Sequence, residues 1–487
     1  MHHVPIRSFL AALCVAFPTS VLAQEAPGDE PPVLLEAETI ALDAKAYASD
    51  FGVSFDEAVR RLLLMQASQD QIDGLRRDLG RDLTGVYFDH ENGFDIKVRT
   101  RGPKSRPARE LRRNGRQEAD RRDRAAQQGR RARTPEAAAA RRTAARRGLE
   151  RARLVSGRDL DIVDAAMAAN QSVALRFQDG SPKSLEEINA TIVAQLPAFL
   201  ERYPDMQGIG YDPKPDAIVL YVETDDARAD VQTFAERIFD YSVSVEVGDG
   251  TVSTDAVYGG TGVTNKPGGD ACMTGFVVAV GATPGVLTAG HCDPRQTNPF
   301  GSSDLVLMPG RRMGGGTGTG GDMQVMSNGD SFSPTFFAGD GFTVRAVTGY
   351  RSRDSLSEGV TSGSYLCKYS AQSGRRSCGR VKARYFAPGV EYQKENPDSR
   401  CSSASGASGT SCTLDYVQVI PAATVSGDYR LEAQGGDSGG PWFANNTAFG
   451  IHGGSFRRTL SGPVEWAYFT PIDAAFRSPI NATLTRY

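Results

Sequence analysis

The stretch EAQGGDSGGPWF, Glu432 to Phe443, decides how this chain is read. Four glycines flank an aspartate and a serine there. Glycines this dense do not belong inside a helix or strand, because each loses more backbone entropy on folding than any other residue. They belong where φ must be positive or where backbone N–H groups must approach something closely. A surface turn satisfies that condition, and so does a serine nucleophile, Ser438, set among backbone amides. A serine alone selects neither reading, so the rest of the chain has to supply a base and an acid that orients it.

The chain has 487 residues, too many for one ordinary domain, and its 40% apolar content with 53 glycines suits a loop-rich, β-rich globular protein. The net charge of −3 hides an asymmetry: residues 101–153 hold 19 Lys/Arg against 6 Asp/Glu, so +13 locally and −16 elsewhere. The N-terminus, MHHVPIRSFLAALCVAFPTSVLAQ, has basic Arg7, an apolar run from Phe9 to Phe17 and small residues before Gln24. It reads as a secretory signal peptide over 1–23. No later run is apolar for the ~18 residues a membrane span needs. Cys14 lies inside the signal. The six remaining cysteines, Cys272, Cys292, Cys367, Cys378, Cys401 and Cys412, suit disulfides in an exported chain. Their arrival in neighbouring pairs suggests 272–292, 367–378 and 401–412 among the 15 pairings six cysteines allow. The chain has no CxxC, which speaks against a zinc site, and no metal or cofactor is expected.

Residues 24–100 read as helix followed by hairpin. Ser54-x-x-Glu57 is a capping box ahead of Val59, Leu62 and Leu63 at helical spacing, and Asn92-Gly93 between apolar runs signals a β-hairpin. Residues 101–153 are Arg/Ala-rich and too poor in apolar side chains to bury a core. They read as a linker; without interleaved aromatics, in an exported chain, they give little support to nucleic-acid binding. Residues 154–252 return to α/β: a second capping box at Ser184-x-x-Glu187 opens a helix through Leu200. A strand over Ala217–Thr224, a helix near Ala229–Phe239 and a strand over Tyr241–Val247 follow. Residues 253–487 change texture, to short strand-like runs between Gly/Ser-rich loops, the rhythm of an all-β sandwich or barrel.

Histidine is scarce: of five, the β-rich part holds only His291 and His452. His291 ends an apolar run in VLTAGHCD beside Cys292, and a disulfide there would hold its loop in place for a base. A packed structural histidine is the other reading.

TAGHC and GDSGGPW resemble the histidine and serine signatures of chymotrypsin-like serine proteases. YLCKYSAQSGRRSCGRV is similar to the second cysteine loop of the streptogrisin and α-lytic-type bacterial members, and YASDFGVSFDEAVRRL with TGVYFDHENGFDIKV resembles their N-terminal pro-region. The resemblance covers most of 40–100 and 185–487. It implies an all-β catalytic domain of two six-stranded antiparallel β-barrels, preceded by a small α/β pro-region that acts as folding catalyst and inhibitor. It also implies an exported serine endopeptidase, extracellular or periplasmic, made as a pro-enzyme and monomeric, with peptides as substrate and without nucleic-acid or membrane partners.

The site follows residue by residue. The resemblance implies Ser438 as nucleophile, His291 as base and the N–H groups of Gly436 and Ser438 as oxyanion donors. The orienting aspartate should precede alternating apolar residues. Asp322 in GGDMQVMS, 31 residues beyond His291, fits better than Asp304 or Asp330. Asp437 implies a buried carboxylate paired with a cation, which by position is Lys368. His452, Gly453 and Gly454 in GIHGGS correspond to the strand that pairs with substrate. His452 departs from the family's usual serine, and packing or a bond to Asp322 are its two readings. Glu432 stands where trypsin-like members carry an acidic specificity residue, implying a preference for Arg or Lys before the scissile bond; a solvated carboxylate is the alternative. The rival function class is a binding or adhesion protein of protease fold without catalysis.

Overall fold

In the computed structural model the described residues are 33–487. Excepted are Asn92 and residues 102–154, 170–174, 180, 204–205, 223–224, 248–251, 255–259, 265–270, 298–303, 314–320, 329–331, 341–342, 354–358, 372, 389–413, 423–429 and 458–461. The signal-peptide reading of 1–23, the linker 101–153 beyond Arg101 and the Cys401–Cys412 pairing therefore lie outside the described residues.

Capping chemistry starts the N-terminal helices. Glu36–Phe51 ends at Gly52, whose φ of 63° suits a residue without a side chain. Phe55–Ala67 opens on Ser54, whose Oγ accepts the Glu57 N–H at 3.3 Å. The second half of that box differs from expectation, because the Glu57 carboxylate pairs with Arg60 and Arg61 at 2.6 Å instead of turning back. After Gln69–Leu79 the chain forms a hairpin, Leu83–Asp89 with Asp95–Thr100, its register closing at Asp89 opposite Asp95. Leu175–Asp179 adds to this sheet in parallel. At Ser184 both halves of the capping box form, at 3.1 and 2.7 Å, and the helix runs Leu185–Arg202. The strand Ala217–Val222 is buried along its whole length, being central between Gly208–Asp212 and Val243–Val247, and the helix Asp225–Phe239 packs against the sheet.

The C-terminal part is mostly β. One sheet has six strands in the order Arg295–Gln296, Leu305–Met313, Met323–Ser327, Thr283–Thr288, Val277–Val280, Thr483–Leu484. The larger sheet has the order Gly349–Tyr350, Thr447–Arg457, Pro441–Ala444, Tyr365–Ser370, Arg375–Val381, Val417–Pro421, Val464–Pro471, with Val252–Thr254 also on Thr447–Arg457. Trp442, Phe469, Val417 and Leu431 are buried in its core. Two disulfides, Cys272–Cys292 and Cys367–Cys378, are present. No helix among the described residues is long and apolar enough to cross a membrane.

N-terminal elements share strands and core with this β part. Phe386–Pro388 continues the four-stranded sheet beside Gly208–Asp212. Glycine is required at 208, because a Cβ there would lie 2.7 Å from the Phe386 ring. Val33–Leu34 pairs in parallel with Val344–Arg345, the Phe88 N–H donates to the Ser362 carbonyl at 2.9 Å, and Tyr47 packs edge-on against Tyr365.

His90 sits in this seam. Its Nε2 is 2.5 Å from the Gly363 carbonyl and its Nδ1 is 2.6 Å from the Tyr47 hydroxyl, so Nε2–H donates and Nδ1 accepts. Burial pushes its pKa down, to about 3. An unfolded histidine takes a proton near its ordinary value while the folded one refuses it. The stability His90 contributes is therefore present above about pH 6.5 and is lost as pH falls toward 3. Asp50, raised to about 6 by burial against the opposing Tyr365 hydrogen bond and nearby Arg376, contributes in the opposite sense. In chemical unfolding at pH 7, 6, 5 and 4, the free-energy slope of wild type should exceed that of His90→Gln over this window, a difference from which the Asp50 contribution cancels. Parallel slopes would remove His90 as the cause.

Candidate active site

His291 is positioned by a strand end and a buried carboxylate. His291 lies just beyond Thr283–Thr288, and Asp322 immediately precedes Met323–Ser327, which pairs with that strand. Asp322 is fully buried, and both its oxygens are taken by one residue: Oδ1 accepts the His291 N–H at 2.8 Å and Oδ2 lies 2.6 Å from His291 Nδ1. An ionised carboxylate only accepts, so Nδ1 carries the proton and Nε2 is the basic nitrogen of the neutral ring. Gly290 lets the loop come this close, since a Cβ would stand 2.2 Å from the Met313 carbonyl and 2.8 Å from Asp322 Oδ1. Thr470, from the larger sheet, brackets the acid: its Oγ1 accepts the Asp322 N–H and donates to the Asp322 carbonyl, both at 3.1 Å.

Ser438 is buried, and its Oγ has no hydrogen-bond partner among the described residues. Its carbonyl accepts the Met273 N–H at 2.6 Å, and the next residue donates to the His452 carbonyl at 2.9 Å. Gly436 and Gly439 hold φ of 121° and 89°, so two of the four glycines of the opening stretch are explained by conformation. The turn is fixed by the neighbouring Gly440 and Asp437 main chains at 3.0 Å. Lys368 and Asp437 are both fully buried and form an ion pair, with the Gln434 N–H also reaching Asp437 Oδ2 at 3.2 Å.

The pocket residues separate. His452 is buried, with Nδ1 accepting the Trp442 Nε1–H at 3.3 Å, and its N–H donates to the Gly440 carbonyl at 2.8 Å. Gly453 has no room for a side chain, the Tyr468 ring lying 2.6 Å from where a Cβ would be. Gly454 pairs with Tyr468 on one side and with Thr254 on the other. Glu432 is exposed, and its carbonyl accepts from Ser377 Oγ at 2.9 Å. Asp304 pairs with Arg295 at 3.0 Å, and Asp330 lies outside the described residues. Cys272, His291 and Cys292 cluster as metal ligands can, but both sulfurs are bound to each other. Thr288 and Trp442 stand within TAGHC and GDSGGPW, whereas Met273 and Thr470 lie outside both motifs. Thr470 stands 148 residues from the aspartate it holds, and no local signal marks it.

No protein-family model matches the chain, and no curated protein sequence matches it. Solved structures do. A glutamic acid-specific serine protease that uses a histidine triad in substrate binding matches over 47% of this chain and 98% of its own, at 21% identity and TM-score 0.31. Protease A of Thermobifida fusca matches over 48% and 100%, at 22% identity and TM-score 0.30. The Nocardiopsis protease matches over 47% and 98%, at 19% identity and TM-score 0.30. The chain resembles bacterial serine proteases of the chymotrypsin type.

Breaking the Lys368–Asp437 pair from one side leaves a buried charge uncompensated, which costs about 3–5 kcal/mol. Lys368→Met should therefore lower the denaturant midpoint strongly, and Lys368→Met/Asp437→Leu should recover much of the loss. Equal losses in the single and double variants would contradict this account of the pair.

Proposed function

We propose that the chain is the precursor of an exported serine endopeptidase, with the six-stranded and the larger sheet as the two barrels of its catalytic part and residues 24–252 as its pro-region. The observation that carries this reading is the His291–Asp322 pair, bonded through both carboxylate oxygens, together with a serine loop built on positive-φ glycines whose Gly439 lies against Thr288 and Ala289 of the same segment as His291.

In this mechanism Ser438 Oγ forms a bond to the peptide carbonyl carbon as its proton passes to His291 Nε2. Asp322 holds the ring tautomer and stabilises the imidazolium that results. The oxygen that gains charge is met by the N–H groups of Gly436 and Ser438, neither of which hydrogen-bonds another described residue. The C–N bond then breaks and His291 returns the proton to the leaving amine. Water, deprotonated by the same nitrogen, releases the acyl group from Ser438. A fluorophosphonate should label wild type at Ser438 and leave Ser438→Ala unlabelled. Asp322→Asn should reduce peptide hydrolysis by about 10⁴-fold through the wrong tautomer. A folded wild type freed of residues 24–252 that stays unlabelled would instead favour the non-catalytic binding protein.

The strand Val252–Thr254 supports the pro-enzyme reading. It runs antiparallel along Gly454–Phe456, so increasing residue number carries it toward His452, whose main chain is bonded to both Gly439 and Gly440. The first cut should therefore fall within a few residues after Thr254. Two preferences compete at the pocket. An acidic Glu432 would select Arg or Lys. The chain after Thr254, however, reads Asp255-Ala256-Val257 with no basic residue, which favours an acidic or small side chain, with His452 as the nearby donor. Peptide-library profiling of wild type, Glu432→Gln and His452→Ala, with the N-terminus of the matured product sequenced, separates them. Basic-residue cleavage lost in Glu432→Gln supports the first preference, and acidic-residue cleavage lost in His452→Ala supports the second.

A further inference from the structure

Away from the serine, two arginines of the β part lie buried side by side. Arg345 is fully buried and Arg376 nearly so. Each is held by Asp340, at 2.6 Å from Arg345 Nε and 2.9 Å from Arg376 Nη1, so two cations share one carboxylate. The remaining negative charge comes from a distant part of the chain. Asp43, in the helix Glu36–Phe51, inserts between them, its Oδ1 accepting from Arg345 Nη2 and from Arg376 Nη1, both at 2.9 Å. Its Oδ2 accepts the backbone N–H of Asn445 at 2.7 Å. Asn445 adopts φ of 50°, uncommon for a residue with a side chain, and its carbonyl accepts from Arg345 Nη1 at 3.1 Å. Three donors from separate segments of the β part thus converge on one carboxylate.

These donors owe their positions to the β part. Arg345 lies in Val344–Ala346 with its guanidinium over the Phe443 ring at 5.0 Å, Arg376 lies in Arg375–Val381, and Asn445 follows Pro441–Ala444. Charge-assisted donors arranged in this way recognise a carboxylate by geometry as well as by charge. We propose that Arg345, Arg376 and the Asn445 N–H form a carboxylate-binding site of the β part, for which Asp43 is the tethered ligand. The site takes the carboxylate of an acidic side chain and identifies the segment 33–51 as its own. It does not depend on the catalytic reading.

Chemical rescue tests it in the full chain. Asp43→Ala removes one carboxylate and leaves space for formate. Its unfolding midpoint should fall by several degrees and should rise again, saturably, with sodium formate, as ligand linkage requires. Sodium chloride at equal ionic strength should not restore it, and neither wild type nor Asp43→Ala/Arg376→Leu should respond to formate beyond the chloride effect. A formate response no larger than that of chloride overturns the proposal. Should Asp43→Ala not fold, Asp43→Asn and Arg376→Gln, singly and together, give a second measure. Losses in midpoint that overlap in the double variant support a shared site, and strictly additive losses overturn it.

Discussion

The turn at Gly439 is the constraint on which the site depends. A Cβ there would fall 2.1 Å from the Met273 carbonyl and 2.5 Å from Thr288 Oγ1, so only glycine lets the serine loop lie against the end of the histidine-bearing strand. The contact is closed on both sides: Ser438 accepts from Met273, Gly439 donates to His452, and Thr288 Oγ1 donates to the Met273 carbonyl at 2.6 Å. One loop thereby joins two sheets. A second tie runs the other way, from Thr470 of the larger sheet to the main chain of Asp322, which leads into the interior strand Met323–Ser327 of the six-stranded sheet. Serine, histidine and aspartate come from three segments, and each is held through its main chain: Ser438 by the Met273 N–H, His291 by the buried Asp322 carboxylate and Asp322 by the buried Thr470 hydroxyl.

Much of this was legible because the chemistry is local. Gly290, His291 and Cys292 are consecutive, as are Gly436 to Gly440, and steric demands on consecutive residues leave a recognisable string. Asp322 could be chosen because a buried strand must follow it, and Met323, Val325 and Met326 supply one. The capping box at Ser184 predicted its helix to within two residues of the observed Arg202 end. At Ser54 the same pattern gave the right start for half of the stated reason, because two arginines compete for the glutamate.

What stayed hidden is long-range. Nothing in Val33–Leu34 announces a parallel pairing with Val344–Arg345, more than 300 residues away, and Val252–Thr254 does not announce its place on Gly454–Phe456. A three-residue strand lacks the length for its alternation to be read. Asp43 is hidden for another reason. A carboxylate in a helix has the same sequence appearance whether it faces water or two buried guanidiniums, and solvated helix faces are far the commoner setting.

The ion pair at Lys368 and the cluster at Arg345 differ in a way that bears on how the parts depend on each other. Lys368 and Asp437 belong to the same β part, on adjacent strands and the serine turn, so the charge beside Ser438 is balanced without help from the N-terminal residues. Arg345 and Arg376, which share Asp340, are both also paired with Asp43 of the N-terminal helix. Removing two neutralising partners from such clusters has unequal effects: losing residues 33–51 leaves the serine turn electrically complete while exposing an excess cation at Val344–Ala346. The same division appears in the backbone, where the serine turn is bonded to Met273 and His452, whereas Val344–Ala346 takes Val33–Leu34 as a neighbouring strand. Dependence on the N-terminal segment therefore falls at the Arg345 edge and at Tyr365, which packs on Tyr47 and bonds Asp50, whereas the serine turn is tied within the β part itself.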